Sequence, residues 1–171
     1  MRLTAITLIV AAGLFGLFLL ALFAFQQRLM FIPERLPANF RFQLARPFEE
    51  RWIVSDGQRG VASEEGLRKA AAAIYEAAKL EEHGDEKKII VYGRSIGTGF
   101  AIRLAAVQKP GGLILESPYD SMKSLAGELF RWAPAFLVRY PIRSDLDAPL
   151  VRCPTLLIHG EQDEVIPFHQ G

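Results

Sequence analysis

The chain has 171 residues, carries 20 Lys and Arg against 19 Asp and Glu, and has a formal net charge of +1. Half of its residues are hydrophobic, which excludes a disordered chain, and the near-balance of charge argues against nucleic acid as a partner. A single Cys excludes an internal disulfide, and one Cys with three His indicates no metal site.

The N-terminal segment is apolar. An uncharged run extends from Leu3 to Phe25, and about 20 apolar residues suffice for a helix to cross a bilayer. A cleaved signal peptide is the alternative, but its apolar region has about 7–15 residues and ends in small side chains. This run is longer and ends with Phe23 and Phe25. We therefore predict a single-pass transmembrane anchor in residues 1–28, with the lipid bilayer as partner through residues 3–25.

Arginines and prolines follow the apolar run. The positive-inside rule favours a cytoplasmic body because of Arg28, Arg35, Arg41 and Arg46, but large domains can cross regardless of flanking charge, so the orientation stays open. Residues 29–48 contain three prolines, which break both helix and strand. We interpret them as a juxtamembrane linker, either an aromatic and basic collar at headgroup level or a plain connection.

The body, residues 49–171, alternates strand and helix patterns. Strands are predicted at Arg51–Ser55, Lys88–Tyr92, Gly112–Glu116 and Thr155–His159, the last three of them core-type. Helices are predicted after a Ser63 cap, with one apolar face formed by Leu67, Ala70, Ala71, Ile74, Tyr75 and Ala78, and at Gly97–Val107 and Asp120–Trp132. This alternation predicts an α/β fold with a mostly parallel sheet and flanking helices.

A Gly-x-Ser-x-Gly pentapeptide, Gly93 to Gly97, lies between the second predicted strand and an Ala-rich helix. A sharp strand-to-helix turn at this place exposes the hydroxyl of Ser95 as a nucleophile. Gly93 and Gly97 are expected to let the neighbouring backbone pass without a Cβ clash, and the N–H of Ile96 is expected to stabilise a developing oxyanion. The alternative is a tight turn whose serine merely caps the helix.

Three longer stretches carry a resemblance: KIIVYGRSIGTGFAIRLAA, LILESPYDSM and RYPIRSDLDAPLVRCPTLLIHGEQDEVIPF. They resemble the α/β-hydrolase fold, and are closest to its membrane-anchored branch. The resemblance implies a serine hydrolase that acts on a small ester, thioester or amide substrate without metal or cofactor. It also implies that the acid of a Ser-Asp-His triad, which follows a His-Gly-x-x-Asp pattern, is Asp163.

The position of Asp163 agrees with that role, because a carboxylate just beyond a parallel strand lies at the edge where such sheets build their sites. A turn Asp before Pro167 is the alternative interpretation. Asp120, which follows the Gly112–Glu116 strand, is a second candidate for the acid.

The resemblance is incomplete. None of the three histidines is a good candidate for the base: His169 follows Asp163 too closely, His159 lies on a predicted strand, and His83 precedes the nucleophile strand. The family's segments between Gly57 and Gly60, and those after Gly171, are missing from the sequence, so we expect an internally deleted and C-terminally truncated domain with exposed apolar sheet edges. The alternative function is that of a catalytically incomplete remnant or a non-catalytic membrane-anchored interaction protein.

The stretch from Phe130 to Tyr140 falls where members of the family place a cap. Three interpretations stay open: the stretch lines an acyl pocket, faces the membrane, or packs on the sheet.

Overall fold

The computed structural model describes residues 2–30 and 63–171, so the predicted strand Arg51–Ser55 and the linker beyond Met30 lie outside the described residues. The helices are α1 (Arg2–Met30), α2 (Glu64–Glu81), α3 (Gly97–Val107), α4 (Met122–Leu129) and α5 (Ser144–Asp147). The strands are β1 (Ile90–Arg94), β2 (Gly112–Glu116) and β3 (Thr155–Ile158). Short 3-10 turns lie at Glu86–Lys88, Ala135–Leu137, Ala148–Leu150 and Phe168–Gln170.

The first helix, α1, has 29 residues and is about 43 Å long at 1.5 Å per residue. That length exceeds the hydrocarbon core of a bilayer, which is about 30 Å thick. From Leu3 to Arg28 the helix is long and apolar enough to cross a membrane, as a signal sequence near an N-terminus also is. The predicted helix is therefore confirmed.

The three strands form one parallel sheet in the order β1-β2-β3. Ile90 pairs with Gly112, and Leu113 pairs with Thr155. Because the strands are parallel, their carboxyl ends meet at one edge of the sheet, and the residues that follow them are brought together there. The structure confirms the predicted α/β architecture of a parallel sheet with flanking helices and one N-terminal apolar helix.

Two clusters of buried side chains hold the body together. In the first, α3 packs on the sheet through Ala101, Ile102 and Ala105, which meet Leu113 and Leu115 of β2. The second lies beyond the carboxyl edge of the sheet and contains Tyr119, Leu125, Ile142 and Ile166. The second cluster places the loops after β2 and β3 against α4.

Most element boundaries follow the predicted ones, and the differences have local causes. Ser63 caps α2 as predicted, its hydroxyl accepting from the N–H of Gly66 at 3.0 Å. The second predicted strand begins later, because the Asp85 side chain accepts from the N–H of Lys87 and holds a 3-10 turn. The helix predicted from Asp120 begins at Met122, because Ser121 caps it, and it ends at Leu129 rather than at Trp132.

The predicted burial is wrong for two strands and for part of α2. Leu156 and Leu157 of β3 are each 55% exposed, and Ile90 of β1 is equally so. Both strands are outer strands of the sheet, and within residues 2–30 and 63–171 nothing pairs with their free edges. Ile74, predicted on the apolar face of α2, is also exposed, whereas Tyr75 beside it is buried.

Candidate active site

Ser95 lies at the turn between β1 and α3, and its backbone is in the left-handed region, with φ of 51°. For a residue with a Cβ this conformation costs roughly 1–3 kcal/mol. The surroundings hold the turn in place: the N–H of Ser95 donates to the carbonyl of Glu116 at 2.9 Å, and the Ser95 carbonyl accepts from the hydroxyl of Thr98 at 2.6 Å. The Ser95 side chain stays partly exposed at the carboxyl edge of the sheet.

The glycines of the pentapeptide differ in their roles. A Cβ on Gly93 would lie 2.7 Å from the Cβ of Ala101 and 2.8 Å from the carbonyl oxygen of Gly97, so β1 and α3 approach closely only because Gly93 has no side chain. Among the described residues, a Cβ on Gly97 would meet no heavy atom within 4 Å, so the steric role of Gly97 stays a prediction. Gly99, in the first turn of α3, is also tightly placed, because its Cβ would lie 2.3 Å from Cγ2 of Ile142.

Ile96 follows the predicted nucleophile and packs on the second cluster. Its carbonyl accepts from the hydroxyl of Tyr119 at 3.3 Å, and burial raises the pKa of that hydroxyl well above its ordinary value. Within the described residues, the N–H of Ile96 donates no hydrogen bond. This N–H at the start of α3 is thus suited to stabilise negative charge.

Ser117 takes the same place after β2 that Ser95 takes after β1. Its φ is 48°, and its N–H donates to the carbonyl of Ile158 at 2.8 Å, as that of Ser95 does to Glu116. The hydroxyl of Ser117 is hydrogen bonded to Asp163. Sequence reasoning missed Ser117, because the residue before a proline is usually extended.

Asp163 lies beyond the carboxyl end of β3, where its carboxylate is well satisfied. Oδ1 accepts from the N–H groups of Val165 and Ile166, each at 2.9 Å. The N–H of Ile166 first, then the Ser117 hydroxyl and the N–H of Val165, hold the pKa of the carboxyl below its ordinary value. The side chain is therefore an anion at neutral pH. These contacts of Oδ1 are those of a turn Asp.

The nearest ionisable neighbour of Asp163 is His159, which directly follows β3. Its Nε2 lies 3.8 Å from Oδ2 of Asp163, beyond hydrogen-bonding distance, and 2.9 Å from the carbonyl oxygen of Ile166, to which it donates. The ring is 5% exposed, and its Nδ1 is buried without a partner in the described part of the chain. His159 is thus held in the turn by the backbone.

The other two histidines lie apart. His169 is exposed and its Nε2 lies 3.0 Å from a carboxylate oxygen of Glu128 in α4. His83 lies in the turn after α2, before the amino end of β1. Among the described residues, no hydrogen bond joins the Ser95 hydroxyl to a histidine. Asp120, the second candidate acid, accepts from the N–H of its neighbour Ser121. The described residues also contain no group of three His, Cys, Asp or Glu that could hold a metal ion.

Known proteins are similar to the chain in sequence. The chain is 39% identical over 114 residues to the alpha/beta hydrolase domain-containing protein aho-3 of Caenorhabditis elegans, a match that covers 66% of this chain and 33% of that protein. The chain is related to the α/β-hydrolase superfamily. A second relative, lysophosphatidylserine lipase ABHD12 of Rattus norvegicus, is 31% identical over 131 residues, which are 66% of this chain and 32% of that protein.

An uncharacterized protein of Mycobacterium tuberculosis is 31% identical over 65% of this chain and 40% of its own length. The chain therefore spans about a third of the length of these curated relatives. No family model and no solved structure matches the chain. The parallel sheet with its flanking helices is consistent with part of an α/β-hydrolase fold.

Proposed function

We propose that the chain carries the nucleophile and the acid of a membrane-tethered serine hydrolase. Ser95 would attack the carbonyl of an ester, thioester or amide, its proton passing to a histidine and the leaving group departing with a proton from that histidine. Water would then release the acyl group from Ser95. The observation that carries the proposal is the left-handed backbone of Ser95 between β1 and α3, at the sheet edge that also holds Asp163.

The remaining groups have roles in this scheme. The N–H of Ile96 would stabilise the oxyanion, and one such donor is typically worth about 10²–10³ in rate. Asp163, an anion because of its hydrogen bonds, would orient the imidazole. His83, His159 and His169 do not supply that imidazole in the positions described. We therefore propose hydrolase activity for a protein that has the additional length of the relatives.

The substrate class follows from the relatives and from α1. One relative is by its name a lysophosphatidylserine lipase, and α1 is long enough to cross a bilayer. We infer that the substrate is an ester of a lipid in the membrane that α1 spans. Since the serine would work at a membrane surface, a single-pass topology would keep it near such substrates.

A fluorophosphonate probe tests the nucleophile, because only a base-activated serine reacts readily with it. In a chain extended with the segments of its relatives, Ser95→Ala should abolish labelling. Ser124→Ala is the matched control, since Ser124 lies on α4 and its hydroxyl accepts a hydrogen bond from the Gln170 side chain. The Ser124→Ala chain should label normally. Undiminished labelling of the Ser95→Ala chain would show that another residue is the nucleophile.

A non-catalytic, membrane-anchored interaction protein is the second candidate, and the positions of the three histidines favour it. The 171-residue chain itself tests whether one of its own histidines can act as the base. It should hydrolyse a p-nitrophenyl ester no faster than its Ser95→Ala variant, because a serine without a base stays protonated near neutral pH. Clear Ser95-dependent turnover would mean that one of the chain's own histidines acts as the base.

A further inference from the structure

A large apolar cleft lies between α1 and the segment that runs from α4 to Val138. We name it the anchor cleft. Its volume is about 510 Å³, within the range of about 300–1,000 Å³ that is usual for ligand sites. None of the described residues that line it is charged, and small side chains such as Ala126, Gly127 and Ala133 are among them.

One wall of the anchor cleft belongs to α1. Phe18, Leu22 and Phe23 line it, and all three lie inside the uncharged run that is apolar enough to cross a bilayer. Trp132 lies at the Phe18 end of the cleft, where its ring stacks on that of Phe18 with the ring centroids 6.0 Å apart. In a membrane, this part of the cleft would lie at the depth of the acyl chains.

The other end of the anchor cleft is polar and fixed. The Gln26 amide nitrogen donates to the carbonyl of Leu137 at 3.0 Å, and its amide oxygen accepts from the N–H of Arg139 at 2.6 Å. This two-point contact holds α1 at a set distance from the segment. From Phe18 to Gln26 the helix rises about 12 Å, so the cleft becomes more polar along α1 toward the end of the apolar run.

The anchor cleft is connected to the candidate active site through a buried cluster. Met122 lines the cleft and packs on the same buried cluster as Ile96, the neighbour of Ser95.

We propose that the anchor cleft binds the acyl chain of a lipid that enters sideways from the bilayer. This assignment rests on the proposed function in naming the substrate class. Three observations favour such an occupant. The inner wall is part of the apolar run of α1, the described lining carries no charge, and the polarity rises from Trp132 to Gln26 as it does along an amphiphile. The helix that anchors the protein is thus also part of its binding site.

Photo-crosslinking tests the assignment. The full chain is placed in phosphatidylcholine vesicles that contain a lysophospholipid with a diazirine on its acyl chain, and the adducts are mapped by mass spectrometry. Adducts should concentrate on cleft residues such as Met122 and Leu137. Ala126→Phe and Ala133→Phe, which fill the cleft, should each lower these adducts about tenfold, the equivalent of 1.4 kcal/mol. Ala12→Phe, on an exposed part of α1 away from the cleft, is the matched control and should not.

The unmodified chain provides a second measurement that needs no variant: excess unlabelled lysophospholipid should reduce the cleft adducts. Adducts spread along the outward side of α1, or unaffected by competitor, would overturn the assignment. Ser95→Ala should leave the adducts unchanged, so loss of the proposed hydrolase activity and loss of the lipid site are told apart.

Discussion

The close approach of β1 and α3 at Gly93 gives a sharp prediction about stability. Gly93→Ala would place a Cβ 2.7 Å from Ala101 Cβ, 2.8 Å from the Gly97 oxygen and 2.9 Å from Thr98 Cα. Two of these atoms are backbone and the third is a Cβ, so no flexible side-chain end can move away. The first turn of α3 must shift from the sheet.

The expected change in the free energy of unfolding for Gly93→Ala is the balance of two opposing effects. Overpacking of this kind typically costs about 1–3 kcal/mol, and replacing Gly by Ala recovers about 0.4–1 kcal/mol through the unfolded chain. The net loss for Gly93→Ala is about 1–2 kcal/mol, which lowers Tm by about 2–8 °C for a chain of this size. Gly97→Ala is the matched control, because its Cβ meets nothing within 4 Å. It should keep or slightly raise Tm.

Cys153 offers a built-in reporter for this comparison. It is the single Cys of the chain, it is half-buried, and it packs against the cluster of α3 and β2. A thiol-reactive fluorophore added during a thermal ramp in detergent should therefore respond when α3 leaves the sheet. Equal Tm values for the two variants, or a lower Tm for Gly97→Ala, would refute the reasoning.

Three further predictions concern the anchor, an ion pair and the acid. Alkaline carbonate washing should leave the chain in the membrane pellet, and full release, or a mature N-terminus beyond Phe25, would contradict the anchor. Lys79, the N–H of Lys109 and Tyr75 lower the pKa of Glu86 to about 2, so Glu86 stabilises the fold above its unfolded pKa of about 4.5 and this stabilisation is lost as the pH falls toward 2. Glu86→Gln should therefore flatten the dependence of Tm on pH over this range. An unchanged slope would be evidence against a stabilising role of Glu86. In an extended, active chain, Asp163→Asn should lower turnover by about 10⁴-fold. The Tm should stay similar, since the Asn oxygen can still accept from the N–H groups of Val165 and Ile166. Turnover near that of the parent chain would exclude the acid role.

Local sequence signals account for much of the fold. The helix Gly97–Val107 and the strand Gly112–Glu116 have the bounds that their patterns predict, because periodicity and the flanking Gly and Pro act over a few residues. The exposure of β3 does not follow from its own residues, since TLLI has the composition of a buried strand and burial depends on what packs against it.

In the candidate site, too, local patterns predict some features and contacts between distant residues determine others. The turn of Ser95 follows from its pentapeptide, and the place of Asp163 follows from the strand before it. Ser117 escaped notice because its left-handed backbone is imposed by pairing with Ile158, a contact that no local pattern contains. The open space beside Gly97, likewise, depends on the path of the whole turn.

The contact between Gln26 and Arg139 has a consequence for folding. The two residues are 113 positions apart in the chain. At about 5–20 residues per second, the ribosome reaches Arg139 on the order of 10 s after α1 has been made. During that interval α1 can enter a membrane alone, and the loop between the two residues must then be closed at an entropic cost. The anchor cleft can therefore close only after Arg139 has been made, when the helix that provides its inner wall has had time to enter a membrane.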